Sequence, residues 1–591
     1  MRVTFGSVLL SLFVGLAPAA DKADPDLADP RNWPAVGRSV NDTHYSPLSE
    51  INRETVSRLR LAWTLDLDAH SVQSTPLAVD GVVYVAAGYS IVYAVDGRTG
   101  RQLWRYDPEV TKFAGRKLRA GAGIRGLAYA KGRLFVGTHD GRLIALDAKK
   151  GTLVWGIEAL RGQDRSFISG PPRVFGDRIA IGFGDTGTVR GAVDVYSIED
   201  GKFLWRWDTA GGGGAVWNAI TYDPELGLLY VGTGNSRGEE PNPGACSVIA
   251  LNAMTGKLAW QYDESPADKT NCDSAMDITL TTLPIGGQAR KVILHAPRDG
   301  TFHVIDRQTG DRVSSQKLGL GAHTHFAQSY HPKTQWVYLP TTDVASPVTA
   351  ETPADAGQSH LVAWDPSRQR AQWAIPTPGA YGGGVLSTAG DLVFQGQSDG
   401  YLVGYSASEG RKVWAFFAGA PPLAAPISYG VGSKQFVVVL AGPPTGMPAS
   451  LGAMAAKFGW DSRLHPRRLL AFTLDGNASL PPTPRPTVAQ PVDVPEFALN
   501  EGLVRAGAIV YERCQWCHGL GAIAGGAAPD LRASPVPLNP AAFATAVRGG
   551  MEARGMPKFE ELSDADLDGL RHFLRARARA AVHASGPSHN Q

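Results

Sequence analysis

Residues 514–518 read Cys-Gln-Trp-Cys-His and could carry redox chemistry. Two cysteines separated by two residues and followed at once by histidine have the spacing of c-type haem attachment, in which the thiols form thioethers and the imidazole binds the iron. A zinc site would need further Cys or His residues at ligand spacing, and none is apparent nearby. A thiol redox pair would normally lie beside a βαβ pattern, which is absent. The motif therefore predicts covalent haem c held by Cys514, Cys517 and His518.

A methionine on the opposite side of the haem would raise its reduction potential. Met551 and Met556 are the candidates. The segment 555–559, Gly-Met-Pro-Lys-Phe, resembles the loop that carries the sixth iron ligand in small class I cytochromes c. We therefore predict Met556 as the ligand, with Met551 as the alternative. The Pro-Asp-Leu segment at Pro529 resembles the same family, which implies that the Pro529 carbonyl holds the ring of His518.

The first nineteen residues have the features of a secretory signal peptide. Arg2 supplies a positive start, residues 8–16 are mostly apolar, and Ala-Pro-Ala at 17–19 is a small-residue cleavage site. The alternative, a short anchor or a buried helix, fits less well because the apolar part is too short to span a bilayer. We expect a periplasmic protein whose fold begins near Asn32. No long apolar stretch follows residue 20, so we expect no membrane span.

Two cysteines, Cys246 and Cys272, are left over from the haem motif. Outside the cytoplasm an even pair favours a disulfide, which we predict close to the cofactor pocket. Two free buried thiols are the alternative.

The elements that position this chemistry begin with a repeat. Short apolar runs end in an Asp-like turn, followed by Gly and then Trp, about every 50 residues. The turns are centred on Asp96, Asp147, Ser197, Asn252, Asp306, Asp365, Ser406 and Asp475. The associated tryptophans are Trp104, Trp155, Trp205, Trp260, Trp373 and Trp414, and the fifth unit lacks one. Several short strands per unit predict propeller blades, with the repeated Trp buried between neighbouring blades.

Composition agrees with this architecture. The chain has 591 residues, of which 43% are hydrophobic and 19% charged, which excludes a disordered chain. With 69 Gly and 41 Pro it is rich in turns rather than long helices. Its formal net charge of +2 argues against nucleic acid as the main partner.

The C-terminal part has a different pattern. Residues 477–497 are rich in proline and predict a semi-extended linker. Residues 498–582 show apolar residues at helical spacing, and Ser563 followed by Asp566 predicts a helix cap.

The propeller half resembles the alcohol dehydrogenases that depend on pyrroloquinoline quinone (PQQ), and the whole mature chain resembles the quinohaemoprotein alcohol dehydrogenases. The motifs that carry this resemblance include Tyr45–Leu48, Ile51–Arg53, Tyr222–Leu226, Gly232–Asn235, Leu386–Gly390 and Val393–Gly396. The resemblance implies an all-β eight-bladed propeller over 32–476, followed by a small all-α cytochrome c domain over 498–582.

PQQ is flat and carries three carboxylates. It needs an aromatic ring to stack on, cationic and hydroxyl partners, and a metal cation that polarises its reactive carbonyl. By the resemblance, Trp217 is the stacking floor, Arg125 and Ser169 bind the cofactor, Asn235 is a metal ligand, and Arg298 replaces a Lys near the quinone oxygens. The alternatives are a core Trp, a surface ion pair for Arg125, a solvated loop Ser and a turn Asn.

Some cofactor positions depart from the family pattern. A disulfide of adjacent cysteines often stacks over PQQ, but Arg119 and Ala120 occupy that region here. A Glu that contacts PQQ is replaced by Gln73. The metal-binding Glu aligns with Thr186, or with Asp185 after a one-residue gap, and we predict Asp185 as the ligand.

The catalytic position also departs from the pattern. The family's catalytic Asp falls on Asn271, which cannot act as a carboxylate base. Asp273 follows two residues later, and residues two apart on an extended strand point to the same face. We therefore predict Asp273 as the general base, with Asn271 orienting the substrate or binding the metal. The alternative is that Asp273 is only a metal ligand or a turn residue.

The functional expectation is an exported dehydrogenase that oxidises a small alcohol with PQQ and passes electrons through haem c to a periplasmic acceptor. Its cofactors would be PQQ, haem c and calcium, or another divalent or lanthanide cation. One alternative is a catalytically degenerate propeller scaffold whose haem c domain only transfers electrons. Another is a dehydrogenase with a different cofactor or substrate class.

Overall fold

In a computed structural model of the chain, each of the first seven repeated units of the sequence forms one corner and the outer strand of a sheet of four or five strands. In the first unit, Asp96 ends the third strand, and its carboxylate accepts the backbone N–H groups of Arg98 (3.0 Å) and Thr99 (2.9 Å). Gly100 completes the corner at φ +76°, a conformation that glycine adopts without strain. Trp104 then lies in the fourth strand.

The structure describes residues 29–68, 72–118, 123–160, 166–184, 191–209, 213–236, 242–267, 269, 272–344 and 348–584. The predicted signal peptide lies outside these ranges. So do Asp185, Asn271 and the pair Arg119 and Ala120, whose predicted roles therefore remain predictions.

The described residues form eight sheets, one per blade, as the repeat predicted. Blade 1 comprises Leu77–Val79, Val82–Ala87, Ile91–Asp96 and Gln102–Tyr106, and blade 2 comprises Ala128–Ala130, Arg133–Gly137, Arg142–Asp147 and Leu153–Glu158. Blade 3 comprises Arg173–Phe175, Arg178–Gly182, Ala192–Ser197 and Phe203–Asp208, and blade 4 comprises Ile220–Asp223, Leu228–Gly232, Ser247–Asn252 and Leu258–Asp263. Blades 5 and 6 comprise Thr279–Ile285, Gln288–His295, Thr301–Asp306 and Arg312–Lys317; and Ala322–His323, Ser329–His331, Trp336–Thr342, Ser359–Asp365 and Arg370–Thr377. Blade 7 comprises Val385–Thr388, Leu392–Gly396, Tyr401–Ser406 and Lys412–Phe417, with Tyr45–Ser46 added in parallel, and blade 8 comprises Ile427–Val431, Lys434–Ala441, Arg467–Leu474 and Leu59–Leu67.

The ring is closed by the N-terminal strand Leu59–Leu67. This strand forms the outer edge of blade 8, where it pairs antiparallel with Arg467–Leu474 from the end of the propeller. Residues more than 400 positions apart in the chain therefore share one sheet, which leaves no gap between the first and last blades.

The repeated tryptophans lie between blades, as predicted. Five of the six predicted tryptophans, and Trp63 of blade 8, pack on the corner glycine of the next blade, so closely that a Cβ on that glycine would lie 2.5–2.9 Å from the indole. The pairs are Trp63 with Gly100, Trp104 with Gly151, Trp155 with Gly201, Trp205 with Gly256, Trp260 with Gly310, and Trp373 with Gly410. The sixth predicted tryptophan, Trp414, instead donates its indole N–H to the Leu59 carbonyl at 3.1 Å. Several indole N–H groups also donate to a backbone carbonyl of the next blade, as Trp104 does to Ala148 (3.0 Å).

The boundary between blades 5 and 6 uses a different contact. The blade that lacks the Trp carries Ser314 opposite Val304, and Gln369 occupies the corner of blade 6 at φ +51°. The Gln369 amide donates to the Ser314 hydroxyl at 2.9 Å. A polar pair thus replaces the indole–glycine contact at this boundary.

Among the described residues, the last four of seven helices form the predicted C-terminal domain, and the first three lie between strands of the propeller. In chain order the helices are α1 Val110–Phe113, α2 Met447–Ser450, α3 Ala453–Ala456, α4 Glu501–Tyr511, α5 Gln515–His518, α6 Pro540–Gly549 and α7 Asp564–Ala584. Short 3-10 turns are Val56–Arg58, Gly88–Ser90, Gly115–Lys117, Leu520–Ala522, Val536–Leu538 and Glu552–Arg554. The predicted cap of α7 is confirmed, because the Ser563 hydroxyl accepts the Asp566 N–H (3.1 Å) and donates to the Asp566 carboxylate (2.7 Å). Among the described helices none is long and apolar enough to cross a bilayer.

The C-terminal domain packs against an insertion in blade 8. Helices α2 and α3 lie in this insertion, between the strands Lys434–Ala441 and Arg467–Leu474. Helix α2 contacts α5, which contains most of the haem motif. The Ser462 N–H of the insertion donates to the Gly526 carbonyl (2.9 Å). A second contact comes from a loop of blade 6, where Glu351 forms an ion pair with Arg577 (3.1 Å). The insertion therefore connects the propeller to the domain that carries the haem motif.

The contact between Trp104 and Gly151 predicts a measurable contribution to stability. In Gly151→Ala the new Cβ would lie 2.5 Å from the indole at φ +70°, so we expect the free energy of unfolding to fall through both backbone strain and overpacking. Gly132→Ala in the same blade is the matched control, because Gly132 has φ +71° but no atom within 4 Å of the new Cβ. We expect Gly151→Ala to lose about 1–3 kcal/mol more than Gly132→Ala in guanidinium-induced unfolding of the full chain. Equal losses would show that the indole contact does not contribute.

Candidate functional site

The predicted cofactor residues lie in loops that lead into the innermost strands of successive blades. Arg125 precedes Ala128–Ala130 of blade 2, and Trp217 precedes Ile220–Asp223 of blade 4. Asp273 precedes Thr279–Ile285 of blade 5. Because the innermost strands surround the propeller axis, these loops meet at one end of the ring.

Trp217 is held from both sides of its loop. Its carbonyl accepts the Ser169 hydroxyl at 3.2 Å, and its indole N–H donates to Asp273 Oδ1 at 2.9 Å. A Cβ on Gly184 would lie 3.4 Å from the Trp217 Cβ, so the small residue allows the close approach of the neighbouring loop. Trp217 is thus held by residues of blades 3 and 5, and it is not one of the repeated tryptophans that lie between blades.

The backbone conformation that places Asp273 in the predicted site differs from the extended strand that we predicted. It does not lie on an extended strand; it lies in a loop at φ +29°, so the argument from strand periodicity is wrong. The carboxylate nevertheless lies against Trp217, with Oδ2 3.8 Å from His325 Nε2. Burial alone would raise the pKa of Asp273, but the His325 ring, the Trp217 N–H and the charge of Arg298 outweigh it and lower the pKa below its usual value.

Asn235 holds the backbone beneath Asp273. Its side-chain oxygen accepts the N–H groups of Cys272 (3.0 Å) and Asp273 (2.8 Å). The predicted disulfide between Cys246 and Cys272 is confirmed, with a Cα–Cα separation of 5.7 Å, a usual separation for a disulfide. The bridge and Asn235 together fix the loop that carries Asp273.

Arg125 lies over the predicted stacking residue. Its guanidinium carbon is 4.5 Å from the centroid of the Trp217 ring, within the range of a cation–π contact. The guanidinium also donates to the His325 carbonyl at 2.7 Å. Burial lowers the pKa of Arg125 to about 10, which leaves it charged at neutral pH. Arg125 is therefore part of the site rather than of a surface ion pair.

Arg298 brings a second positive charge into the same group. Its guanidinium donates to the Tyr381 hydroxyl and lies 3.2 Å from His325 Nδ1. Its backbone N–H donates to the Cys272 carbonyl at 2.7 Å. Both ends of the residue are thus tied to the loop of Asp273 or to side chains that face it.

Ser169 and Gln73 take up supporting positions. The Ser169 carbonyl accepts the Arg125 N–H (2.8 Å), in addition to the hydroxyl contact with Trp217. The Gln73 side chain donates to the Thr445 hydroxyl at 2.6 Å, so it is bound to the blade 8 insertion instead of to the group around Trp217.

His325 and Tyr381 belong to this site, and the sequence analysis missed them. His325 Nδ1 lies 2.7 Å from the Tyr381 hydroxyl, and the two rings stack with an interplanar angle of 7°. Both residues lie four positions before an innermost strand, Ser329–His331 or Val385–Thr388. Ser169 has the same offset from Arg173–Phe175. Their position in the repeat, four residues before the innermost strand of a blade, is the sequence signal that could have identified them.

The donor set fits PQQ. An indole face, two guanidinium groups and a hydroxyl match a flat molecule with three carboxylates. The fit to a metal cation rests on fewer residues. The Asn235 side-chain oxygen is a hard donor, but it already accepts two backbone N–H groups. The predicted ligand Asp185 lies outside the described residues, and no group of three His, Cys, Asp or Glu side chains in the described ranges is arranged to hold a metal.

An apolar cavity adjoins Tyr381 on the side of the C-terminal domain. It has room for about one water molecule, and its lining includes Tyr381, Leu451, Met454 and Phe458. Three of these residues lie in or beside α2 and α3, so the blade 8 insertion forms one wall.

The haem motif has the predicted second contact. His518 Nδ1 lies 2.8 Å from the Pro529 carbonyl oxygen, which confirms the predicted role of Pro529 and leaves Nε2 for an iron atom. Burial lowers the pKa of His518 and so favours the neutral ring that binds metal. Met556 packs with Cys514 against the core of the domain, whereas Met551 is 44% exposed. Packing therefore favours Met556 as the sixth ligand.

Two family models match the chain. The model described as glucose/ethanol/alcohol dehydrogenase, beta-propeller domain, under the heading PQQ, matches residues 33–374. The model described as cytochrome C oxidase, cbb3-type, subunit III, matches residues 502–574.

Individual proteins resemble the chain over both of its parts. The quinohemoprotein alcohol dehydrogenase ADH IIB of Pseudomonas putida is 34% identical, covering 98% of this chain and 97% of its own. The solved structure of quinohemoprotein alcohol dehydrogenase ADHIIG from Pseudomonas putida HK5 has a TM-score of 0.86 at 32% identity, covering 95% of this chain and 97% of that chain. A europium-containing methanol dehydrogenase has a TM-score of 0.67 at 25% identity, covering 76% of this chain and 99% of its own.

The packing of the two methionines yields a test of the sixth ligand. In the haem-loaded protein, Met556→Ala should lower the reduction potential and remove the sulfur-to-iron absorption band, because a thioether ligand raises the potential. Met551→Ala is the matched control, since Met551 pairs with Met556 through backbone contacts only and should leave band and potential unchanged. Loss of the band in Met551→Ala alone would reverse the assignment.

Proposed function

The chain belongs to the quinohaemoprotein alcohol dehydrogenase family, and on this premise we propose that it is an exported enzyme that oxidises an alcohol and passes the electrons to an external periplasmic acceptor. The observation that carries the proposal is the group of Trp217, Asp273, Arg298 and Arg125, present in one chain with a haem attachment motif. Its cofactors are PQQ, haem c and a divalent or lanthanide cation.

The chain provides a binding surface for each cofactor. Bound PQQ supplies the acceptor for a hydride from the alcohol carbon, and bound haem c carries the electrons onward one at a time. Trp217 provides the stacking face, and Arg125 and Ser169 lie close enough to it to bind carboxylates at the rim. We assign Arg298 to the quinone oxygens, where a planar, fixed positive charge favours the build-up of negative charge.

We assign the general base to Asp273. The alcohol proton needs an acceptor close to the hydroxyl, and Asp273 Oδ2 is the oxygen that does not accept the indole hydrogen bond, which goes to Oδ1. The lowered pKa keeps this carboxylate ionised at neutral pH. Asn271, at the family's catalytic position, is assigned to orient the substrate.

The cation would be calcium or another divalent or lanthanide ion. Asn235 is one proposed ligand and Asp185 the other, both through hard oxygen atoms. Asn235 already holds the Asp273 loop through its side-chain oxygen, so a cation bound there would lie next to the proposed base.

The degenerate-scaffold alternative is less well supported. A scaffold without chemistry has no need of a buried carboxylate beside two guanidinium groups, since each buried charge must be compensated. The third possibility is a different cofactor. It would not explain why two guanidinium groups and an aromatic face are arranged as a ligand with three carboxylates requires.

Reconstitution tests the function directly. We expect protein that carries haem c, loaded with PQQ and calcium or a lanthanide, to show haem reduction in its absorption spectrum when primary alcohols are added. Protein without PQQ should show no haem reduction with the same alcohols but full reduction by dithionite. Haem that only external donors reduce, in fully PQQ-loaded protein, would support the scaffold alternative instead.

The base assignment predicts a defect in turnover. Asp273→Asn should lose about 10²–10⁴-fold in turnover, as expected for loss of general-base assistance, while PQQ remains bound. Asp299→Asn is the control, because the Asp299 carboxylate is used in a local turn with Thr301 (2.7 Å and 2.9 Å). If turnover survives in Asp273→Asn, another group is the base. If PQQ and metal binding are lost instead, Asp273 is mainly a ligand.

A further inference from the structure

His325 faces the proposed base but has no role in the assignments above. It lies in the loop between Ala322–His323 and Ser329–His331 of blade 6. Its ring centroid is 5.6 Å from that of Trp217, at an interplanar angle of 54°. The His325 and Asp273 side chains are 15% and 17% exposed, so both are largely but not completely enclosed.

The Nδ1 side of His325 is occupied by donors. Arg298 has only N–H donors, and its guanidinium lies 3.2 Å from Nδ1. The Tyr381 hydroxyl accepts a hydrogen bond from Arg298, which leaves its own O–H to donate to Nδ1 at 2.7 Å. Nδ1 is therefore an acceptor, and the proton of the neutral ring is on Nε2.

The ring is neutral at physiological pH. Burial and the charge of Arg298 lower the pKa of His325 to about 4, against the opposing effect of Asp273. A neutral ring with its lone pair at Nδ1 already committed cannot take the proton of an alcohol. This excludes His325 as the base and leaves it with one N–H, which points to Asp273.

Asp273 therefore meets an N–H donor on each oxygen. Trp217 Nε1 donates to Oδ1 at 2.9 Å, and His325 Nε2 lies 3.8 Å from Oδ2. The second separation is longer than a hydrogen bond, and catalytic contacts of this kind commonly shorten when substrate binds. Two donors from different blades would fix the plane of the carboxylate.

We propose that His325 is a positioning residue for alcohol oxidation: Arg298 and Tyr381 fix its Nε2–H tautomer, and this N–H orients Asp273 Oδ2 toward the substrate hydroxyl. The inference rests on the proposed function, because it takes Asp273 as the base. His325 belongs to blade 6 and Tyr381 to blade 7, and none of the site residues predicted from the sequence lies in these two blades.

Two substitutions separate orientation from packing. His325→Leu fills a similar space without an N–H, whereas His325→Gln retains a side-chain N–H that can reach Asp273. In holoenzyme we expect His325→Leu to lower kcat about 10²-fold with little change in KM, since misplacement of a reacting group costs about this much. His325→Gln should recover most of the loss. Equal kcat values for the two variants would overturn the proposal.

A second measurement does not depend on turnover. Nitrogen-15 spectra of the chain labelled at its 14 histidines, compared with those of His325→Gln, identify the His325 signals. We expect the pattern of a neutral Nε2–H tautomer at pH 7, and conversion to a mixture of tautomers in Tyr381→Phe. An Nδ1–H tautomer or a charged ring at pH 7 would contradict the proposal.

His331→Gln is the matched control. His331 is a buried histidine of the same blade whose Nε2 contacts the Thr388 carbonyl (3.2 Å), so its loss should lower stability without lowering kcat. The two proposals can fail separately. Normal turnover in Asp273→Asn would reject the base, whereas a large loss there combined with wild-type kcat in His325→Leu would reject only the positioning role.

Discussion

The contact between an indole and a corner glycine is the interaction on which the propeller depends. Each blade alone has two apolar faces and cannot bury both, so it needs a neighbour on each side. The tryptophan of one blade fills the space above the corner of the next, where a residue larger than glycine would collide with the ring. Because Trp63 comes from the N-terminal strand of blade 8 and packs on Gly100 of blade 1, the same contact also closes the ring. The polar pair of Ser314 and Gln369 shows that the position can be filled differently when both partners change.

A closed ring of fixed spacing determines where the site forms. Loops from blades 2, 4, 5, 6 and 7 meet at one end of the axis, and their side chains contact each other although they are distant in sequence. Arg125 and Arg298 bring two positive charges, Asp273 brings one negative charge, and His325 is neutral. Asp277 also acts on Arg125, so the group has no excess charge, and the attraction of a polyanionic ligand rests on the guanidinium donors themselves. Among the described residues neither guanidinium forms an ion pair with a carboxylate within 4 Å, which is consistent with a cofactor that carries carboxylates.

Much of this organisation could be predicted from the sequence, because it depends on local spacing. The blade repeat, the haem motif and the Ser563 cap involve residues within one unit or one helical turn. The disulfide could be predicted by counting cysteines. Interactions between blades could not be predicted in the same way. His325 and Asp273 are 52 positions apart, and only the ring geometry brings them together. The strand argument for Asp273 failed because its backbone has positive φ and is held by Asn235, a constraint that periodicity does not reveal.

The blade 8 insertion links the two halves of the reaction. On one side it lines the cavity beside Tyr381 and accepts the Gln73 side chain through Thr445. On the other side α2 packs on the helix of the haem motif, and a Cβ on Gly525 would lie 2.4 Å from the Ala449 carbonyl oxygen. Such close backbone packing allows little sliding between the two domains. The segment between two strands of the last blade therefore contacts both the Tyr381 side of the candidate site and the helix of the haem motif, and fixes the position of one relative to the other.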